Sequence, residues 1–299
     1  MRYNGCIQHK TFISEEHKMK KLLSLLLLAA LTFTMVGAFA GCQTPEPEAQ
    51  EFVVATNCPF EPFEYIGTDG KVYGVDREIA AGFAAKKGYK LVIKNIDFNT
   101  ILNQVNAGYA DIGMAGMTID ATRLETNDFT DTYYNASQKL IVAADCTLFD
   151  ACETAADVEA VLAALEDQSI GYQTGTTGNW YVAGDADWGY DGFANVEAKG
   201  YSTAAQAVLD LKNGNLFGVV VDGAPAAALV AANADNVKLI DIPLTEEEYA
   251  FAVKKGNTAL VEEFNAYLAE IKANGTFDAI LAKYFEGEGT KVGYDVFVG

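Results

Sequence analysis

The sequence predicts an α/β fold made of two similar lobes. Three observations carry that expectation. Short apolar runs alternate with amphipathic stretches along most of the chain, the pattern of strands and helices in layered α/β structures. The alternation breaks at Lys139–Ala144, a strand that follows no long helix, which suits a crossing between lobes. Two distant passages also share one grammar. Ile101-Leu102-Asn103-Gln104-Val105-Asn106-Ala107-Gly108 leads into a strand ending at Ala115, and Val208-Leu209-Asp210-Leu211-Lys212-Asn213-Gly214 leads into one ending at Val221. In each, an amphipathic helix meets an Asn/Gly stop, then a buried strand, then small residues. In such folds the ligand-facing loops follow the C-terminal ends of strands.

The elements follow in order. Phe52–Thr56 reads as an apolar strand that breaks at Asn57-Cys58-Pro59. Asp76 is expected to cap a helix to about Lys87, with Ile79, Ala80, Phe83 and Ala84 on one face and Gly88 as the stop. Lys90–Ile96 is a second strand, Asn99 to about Ala107 a helix, and Ala110–Ala115 a third strand. The middle of the chain repeats the theme: helix Thr154–Leu165, strand Ser169–Gln173, a helix capped by Ser202 and running to Lys212, strand Phe217–Val221, helix Ala224–Asn233 and strand Val237–Asp241. Tyr249–Val253 is the last strand, and helices Thr258–Asn274 and Thr276–Phe285 follow.

Composition narrows the function. The 299 residues include 41 acidic and 21 basic ones, a formal net charge of -20. Nucleic acid is a poor partner for such a chain, because phosphate binding needs Lys and Arg to displace counterions. The two histidines, His9 and His17, both lie upstream of an expected cleavage point. A processed chain would thus have no His-based triad and no His-ligated metal, and neither metal nor cofactor is expected.

The N-terminus reads as a lipoprotein signal. Lys18, Lys20 and Lys21 precede an apolar run from Leu22 to Ala40, then Phe39-Ala40-Gly41-Cys42 and a polar Pro/Glu-rich stretch. Small residues before a cysteine resemble a bacterial lipobox, with Phe39 where Leu is usual. Residues 1–41 are read as the signal peptide, Cys42 as the lipidation site and 42–51 as a tether; a plain signal peptide or an uncleaved anchor is the alternative. Met19-Lys20-Lys21 reads as a more natural start than Met1. Removing residues 1–41 takes away five basic and two acidic residues and leaves a net charge of -23, so attachment to a membrane would come from lipid rather than charge. Beyond it stand Cys58, Cys146 and Cys152, the last two spaced so that a bridge would close a short loop.

The residues with chemical promise point to binding. Gly113-Met114-Ala115-Gly116-Met117-Thr118-Ile119-Asp120-Ala121-Thr122-Arg123 places small residues at a strand end, a Thr at an expected helix start and an Arg soon after. A guanidinium binds both oxygens of a carboxylate, and a helix start adds N–H donors. The plainer reading is a surface Arg paired with Asp120 or Glu125. Gly175-Thr176-Thr177-Gly178 lacks the Gly-Lys-Ser/Thr ending of a nucleotide loop.

Together with Asn127-Asp128-Phe129-Thr130-Asp131-Thr132-Tyr133-Tyr134, that stretch resembles the bacterial extracellular solute-binding proteins of family 3, which serve polar amino-acid ABC importers. Val54–Tyr65 looks like the family's first-strand motif, Gly74–Ala80 like its next helix start, and Gly171–Gly178 like its second-lobe loop. Asn274-Gly275-Thr276-Phe277 and Lys283-Tyr284-Phe285 continue the pattern to the C-terminus. The resemblance implies a type II periplasmic-binding-protein-like fold, with lobe 1 from 52–140 and 246–299, lobe 2 from 141–245, and a hinge near Gln138–Ile141 and Leu244–Tyr249. It implies a monomer that captures a free polar amino acid and delivers it to the permease and ATPase of an importer, lipid-anchored outside the cytoplasm. Arg123 matches the Arg that grips the ligand α-carboxylate, helped by Thr118. Asp222 matches the acid that meets the α-ammonium, and Gly116 a carbonyl that reaches it. Thr177 matches the second-lobe donor, and Phe60 and Phe98 match the pair that sandwiches the ligand side chain. Taken alone, the two Phe would more often be core aromatics and Asp222 a helix cap before Gly223. Phe217 departs from the family, standing where an acid is usual.

Asn57 stands where relatives that prefer cationic amino acids often carry Asp, and Gln173 suits a polar tail of either kind. A polar amino acid, neutral or basic, is therefore expected. Some relatives of the fold are enzymes, such as cyclohexadienyl dehydratases and lytic transglycosylases. Glu61 or Glu64 would be the acid in a dehydratase, and a ligand-sensing module is the third alternative.

Overall fold

The structure is a computed structural model and describes residues 49–286. The expected signal peptide, Cys42 and most of the tether lie outside the described residues. Two five-stranded sheets organise the described chain. In the first, the order is Lys90–Asn95, Glu51–Thr56, Ile112–Gly113, Ala252–Lys254, Asn127–Phe129. In the second it is Val196–Tyr201, Gln168–Gln173, Gly218–Asp222, Gln138–Ala143, Val237–Ile240. The sheets share one plan: three parallel strands, then a fourth that runs antiparallel to both its neighbours. The helix–stop–strand passages that repeat in the sequence feed the third strand of each sheet.

The chain passes from one sheet to the other twice. The outgoing segment Tyr134–Ala136 and the returning segment Glu247–Tyr249 pair antiparallel, with Glu247 opposite Ala136 and Tyr249 opposite Tyr134. The first sheet therefore takes its fourth strand, and the helices Thr258–Ala273 and Thr276–Phe285, from the C-terminal part of the chain.

Packing follows the periodicities. In the second sheet Leu140, Val142 and Val220 face one buried cluster, with Phe149 and Leu162. Ile141, Val219 and Val221 face the opposite one, with Ala207, Val208 and Leu211. Successive residues of a strand point to opposite faces, so strands buried on both sides read as continuous apolar runs. The first sheet packs Phe52 against Phe83 and Phe264, with Phe83 and Phe264 rings 4.6 Å apart.

Several local expectations give way to tertiary demands. Helix Val75–Lys87 is capped by Gly74 at φ 127°, not by Asp76, which turns inward in the first turn. A Cβ on Gly74 would stand 2.0 Å from the Phe63 carbonyl oxygen, so only glycine fits. Thr203, not Ser202, caps helix Ala204–Lys212 by accepting from the Gln206 N–H. The strand expected at Ala110–Ala115 shrinks to Ile112–Gly113, because the residues after it turn out into a loop. Tyr249–Val253 splits in two, since the Phe251 N–H donates to the Thr130 hydroxyl between the two pieces. Cys58, Cys146 and Cys152 are free thiols.

Candidate functional site

Loops at the C-terminal ends of strands from both sheets meet at one pocket. Asn57 and Phe60 follow Glu51–Thr56, Phe98 follows Lys90–Asn95, and Gly116 and Thr118 follow Ile112–Gly113. From the other sheet, Gln173 ends Gln168–Gln173, Thr177 opens helix Thr177–Ala183, and Asp222 ends Gly218–Asp222. All nine residues singled out by the sequence, Arg123 included, line this pocket, a narrow space of about 10 Å³, together with Glu64, Ala115 and Thr176. Side chains bond across it: Gln173 Nε2 donates to Asn57 Oδ1 at 2.7 Å, and the Thr177 and Thr118 hydroxyls lie 3.4 Å apart.

Arg123 forms the cationic pole. It sits in the short helix Ala121–Thr126, whose cap is Asp120: its Oδ1 accepts from the Thr122 and Arg123 N–H groups. Thr118 is thus not at the helix start as expected. Its carbonyl instead accepts from Arg123 Nη1 at 2.5 Å. Arg123 Nη2 donates to the Gly175 carbonyl at 3.2 Å, and Nε lies 3.7 Å from Asp120 Oδ2. The side chain is 5% exposed. Burial lowers its pKa, opposed by the charges of Asp120 and Glu247, but a guanidinium stays protonated in proteins. Those two carbonyls occupy one N–H on each terminal nitrogen, which leaves a second N–H on each for a two-pronged partner.

Asp222 forms the anionic pole. It is the N-cap residue of helix Gly223–Ala231, yet its side chain makes no capping bond and is left to the pocket. Its Oδ1 accepts from the Tyr249 hydroxyl at 2.6 Å. Burial and then the Glu247 charge push its pKa up to about 7, against the stabilising bonds from Tyr249 and Gln138. Glu247, itself buried, accepts from the Thr118 hydroxyl at 2.5 Å, the Thr245 hydroxyl at 2.5 Å and Gln138 Nε2 at 3.1 Å.

A second carboxyl pair lies beneath Gly116. Asp76 accepts from the Gly116 N–H at 3.1 Å and the Tyr133 hydroxyl at 2.7 Å. Burial drives its pKa to about 7 despite those bonds. Fully buried Glu64 is raised well above the usual range, by burial first and then by Asp76. Gly116 itself has φ 51°, and a Cβ there would stand 2.4 Å from Phe60 Cε1. Phe60 is buried beside Phe63, ring centroids 6.0 Å apart, and the Phe98 ring lies 5.6 Å from the Arg123 guanidinium. Phe217 stays away from the pocket and packs on Phe149.

Four pocket neighbours escaped the sequence reading. Glu247 and Tyr249 lie in the returning segment, and Trp180 and Trp188 lie over Arg123, 5.1 and 5.2 Å from its guanidinium. The run Glu246-Glu247-Glu248 reads as solvated charge. Only the burial of its middle residue marks it out. Among the described residues no group of three His, Cys, Asp or Glu is placed to hold a metal, and no helix is long and apolar enough to cross a membrane.

Residues 52–287 match the bacterial extracellular solute-binding proteins, family 3. The chain belongs to this family. A probable histidine-binding protein of Neisseria gonorrhoeae is 30% identical over 91% of this chain and 97% of its own length. An ancestral arginine-binding protein, solved with arginine, is 32% identical with a TM-score of 0.69, covering 79% of this chain and 98% of the other. An ancestral arginine-binding protein solved with glutamine is 33% identical with a TM-score of 0.69, covering 80% of this chain and 98% of the other. The ancestral amino acid-binding protein AncCDT-1, a precursor of cyclohexadienyl dehydratase, is 27% identical with a TM-score of 0.67, covering 79% and 95%. With these relatives the chain shares a two-lobed α/β fold, and its family role is solute binding.

Proposed function

We propose that the protein captures a polar L-α-amino acid between its lobes and delivers it to an ABC importer. The observation that carries this reading is the opposition of Arg123 and Asp222, drawn from different sheets into one buried pocket. A zwitterion leaves water only where each charge finds a bonded counter-charge, and here the ligand's own two charges would tie the lobes together. Thr118, Thr177 and Gly116 would supply further polar contacts, Phe60 and Phe98 apolar walls, and Asn57 and Gln173 the surroundings of the ligand tail. Relatives named for histidine and arginine, and ancestral fold relatives solved with arginine and with glutamine, support a polar tail, neutral or basic. Lobe 1 would comprise 52–140 and 246–299, lobe 2 141–245, with the paired crossing segments as hinge. The protein would act as a monomer, lipid-anchored outside the cytoplasm through Cys42.

A second reading rests on Glu64, a proton-holding carboxyl at the pocket wall, and on the dehydratase precursor among the fold relatives. A general acid of that kind would serve elimination from a prephenate-like acid. Thermal-shift titration with the common L-amino acids, run beside a turnover assay on prephenate, separates the two. Saturable stabilisation by a polar amino acid without turnover supports capture; turnover without amino-acid binding overturns it.

A further inference from the structure

We infer that Glu247 is a positioning residue for ligand capture: it takes the Thr118 hydroxyl proton and ties the Thr118 loop to both segments that cross between the sheets, so that Thr118 meets a ligand carboxylate through its backbone N–H. The inference rests on the reading of the pocket as an amino-acid clamp.

Glu247 opens the returning segment, opposite Ala136 of the outgoing one, and is 8% exposed. Its Oε2 accepts from the Thr118 hydroxyl, and its Oε1 from the Thr245 hydroxyl and Gln138 Nε2. These donors come from the first sheet's pocket loop, from the chain just before the returning segment, and from the start of strand Gln138–Ala143. The Gln138 N–H donates to the Thr245 oxygen at 2.8 Å, which leaves that hydroxyl's one proton for Glu247. All three donors are neutral, so the Glu247 charge still acts on the pocket.

The Thr118 hydroxyl also has a single proton, and it goes to Glu247. On its other side the Thr177 hydroxyl approaches to 3.4 Å as a donor. The chain Thr177–Thr118–Glu247 thus runs from the second sheet's side of the pocket to the returning segment, and it leaves no Thr118 hydroxyl proton for a ligand carboxylate. The backbone N–H is differently placed. Thr118 and Tyr249 form an isolated bridge whose bonds run from the Ile119 N–H to the Glu248 carbonyl and from the Ala250 N–H to the Met117 carbonyl. In such a pair the bridged residue turns its own N–H and C=O away from its partner. The Thr118 carbonyl accepts from Arg123 Nη1, so the Thr118 N–H lies along the edge that faces Arg123.

Glu247 reaches the ammonium end as well. Gln138 bonds to Asp222 in addition to Glu247, and after burial the Glu247 charge is the largest cause holding Asp222 above its ordinary range. Arg123 and Tyr190 also feel the Glu247 charge. Asp120, Glu246 and Glu248 line with it an adjoining cavity of 710 Å³. Glu64, Tyr134 and Tyr249 feel the charge of Asp222.

The test uses the full-length protein with L-arginine, L-glutamine and L-histidine as probes. For whichever wild type binds, affinity should rise with pH about a midpoint set by Asp222. Glu247→Gln keeps the shape and removes the charge, and should move that midpoint down by about half a pH unit or more. At pH 8, with Asp222 mostly ionised in both proteins, it should weaken affinity about tenfold. Thr118→Val should lose a similar amount, and Thr118→Ser should recover most of it. The double variant Glu247→Gln, Thr118→Val should bind little worse than either single one. An unmoved midpoint, full additivity, or wild-type affinity in Thr118→Val overturns the proposal. A second measurement needs no ligand. Unliganded melting temperatures of wild type, the two single variants and the double should also fail to add, because the Thr118–Glu247 bond exists without ligand. Independent losses there would assign the Thr118 hydroxyl to the ligand and overturn the proposal too. If wild type binds no amino acid, the capture reading fails, while the melting cycle still decides whether Glu247 holds Thr118.

Discussion

The Tyr249 hydroxyl donates to Asp222 Oδ1 at 2.6 Å, joining the segment that returns to the first sheet to the central strand of the second. The bond holds a carboxyl that burial has already pushed toward neutrality, with a pKa near 7 against an ordinary 3.8. In the unfolded chain that group has lost its proton by about pH 4 to 5; in the folded protein it keeps it to about 7. The folded state thus binds more protons over that window, and this group's contribution to stability falls as pH rises through it. Asp222→Asn should flatten this part of the profile and raise the unliganded melting temperature at pH 8, as read by calorimetry in the absence of amino acids.

The same carboxyl must be ionised to meet an ammonium. Ligand affinity should therefore rise as pH increases from 5 to 7, by at most about tenfold per unit for one linked proton, and level off above 7. Titration calorimetry in buffers of different ionisation enthalpy should find proton release on binding below pH 7. A flat profile would remove Asp222 from the ammonium site.

Arg123→Ala leaves a ligand carboxylate buried without its partner. Losing one member of such a pair costs about 2–5 kcal/mol, or roughly a thirty- to several-thousand-fold loss of affinity. Phe60→Ala and Phe98→Ala should cost less and broaden specificity. Wild-type affinity in Arg123→Ala would place the carboxylate elsewhere.

Asn57 accepts from Gln173 and donates to the Ile96 carbonyl at 2.7 Å, so it is fixed on both sides. Asn57→Asp keeps the acceptor and adds charge beside the ligand tail. Selectivity should shift toward L-arginine over L-glutamine by about tenfold, the scale of one charge-assisted bond. A competition assay in which the ratio stays constant would take Asn57 out of tail recognition.

Phe83 is 1% exposed and packs against Phe52, Phe264 and Tyr267. Phe83→Ala should destabilise by about 3–5 kcal/mol, seen as a lower urea midpoint, because the cavity is walled by aromatic rings that cannot collapse into it. A loss below about 1 kcal/mol would mean that this wall relaxes.

What the sequence makes legible here depends on range. The alternation of elements is local, and so is the repeated helix–stop–strand grammar that fills the third strand of each sheet. The pocket residues were legible mainly through the family resemblance, which matches them position by position; taken alone, Phe60 and Phe98 read more often as core aromatics and Asp222 as a helix cap. Asp76 was misjudged because an acid beside a helix start looks like a cap, while its true partners, Gly116 and Tyr133, lie 40 and 57 residues away. The strand Val196–Tyr201 escaped notice because a half-buried edge strand containing Glu, Lys and Gly carries little apolar signal. Trp180 and Trp188 gave no hint of Arg123, since cross-lobe proximity leaves no mark on spacing.

The fourth strand of the first sheet, Ala252–Lys254, bears on how the chain assembles. Every strand of the second sheet lies between Gln138 and Tyr201 or between Gly218 and Ile240, so that sheet has all its parts before the last sixth of the chain is made. The first sheet has four strands by Phe129, yet Asn127–Phe129 has nothing to pair with until Ala252–Lys254 arrives. Phe264 and Tyr267, which close its aromatic core, come later still. During synthesis the half that begins the chain is thus the half that finishes last, and its open strand edges are the surface a chaperone would have to guard meanwhile.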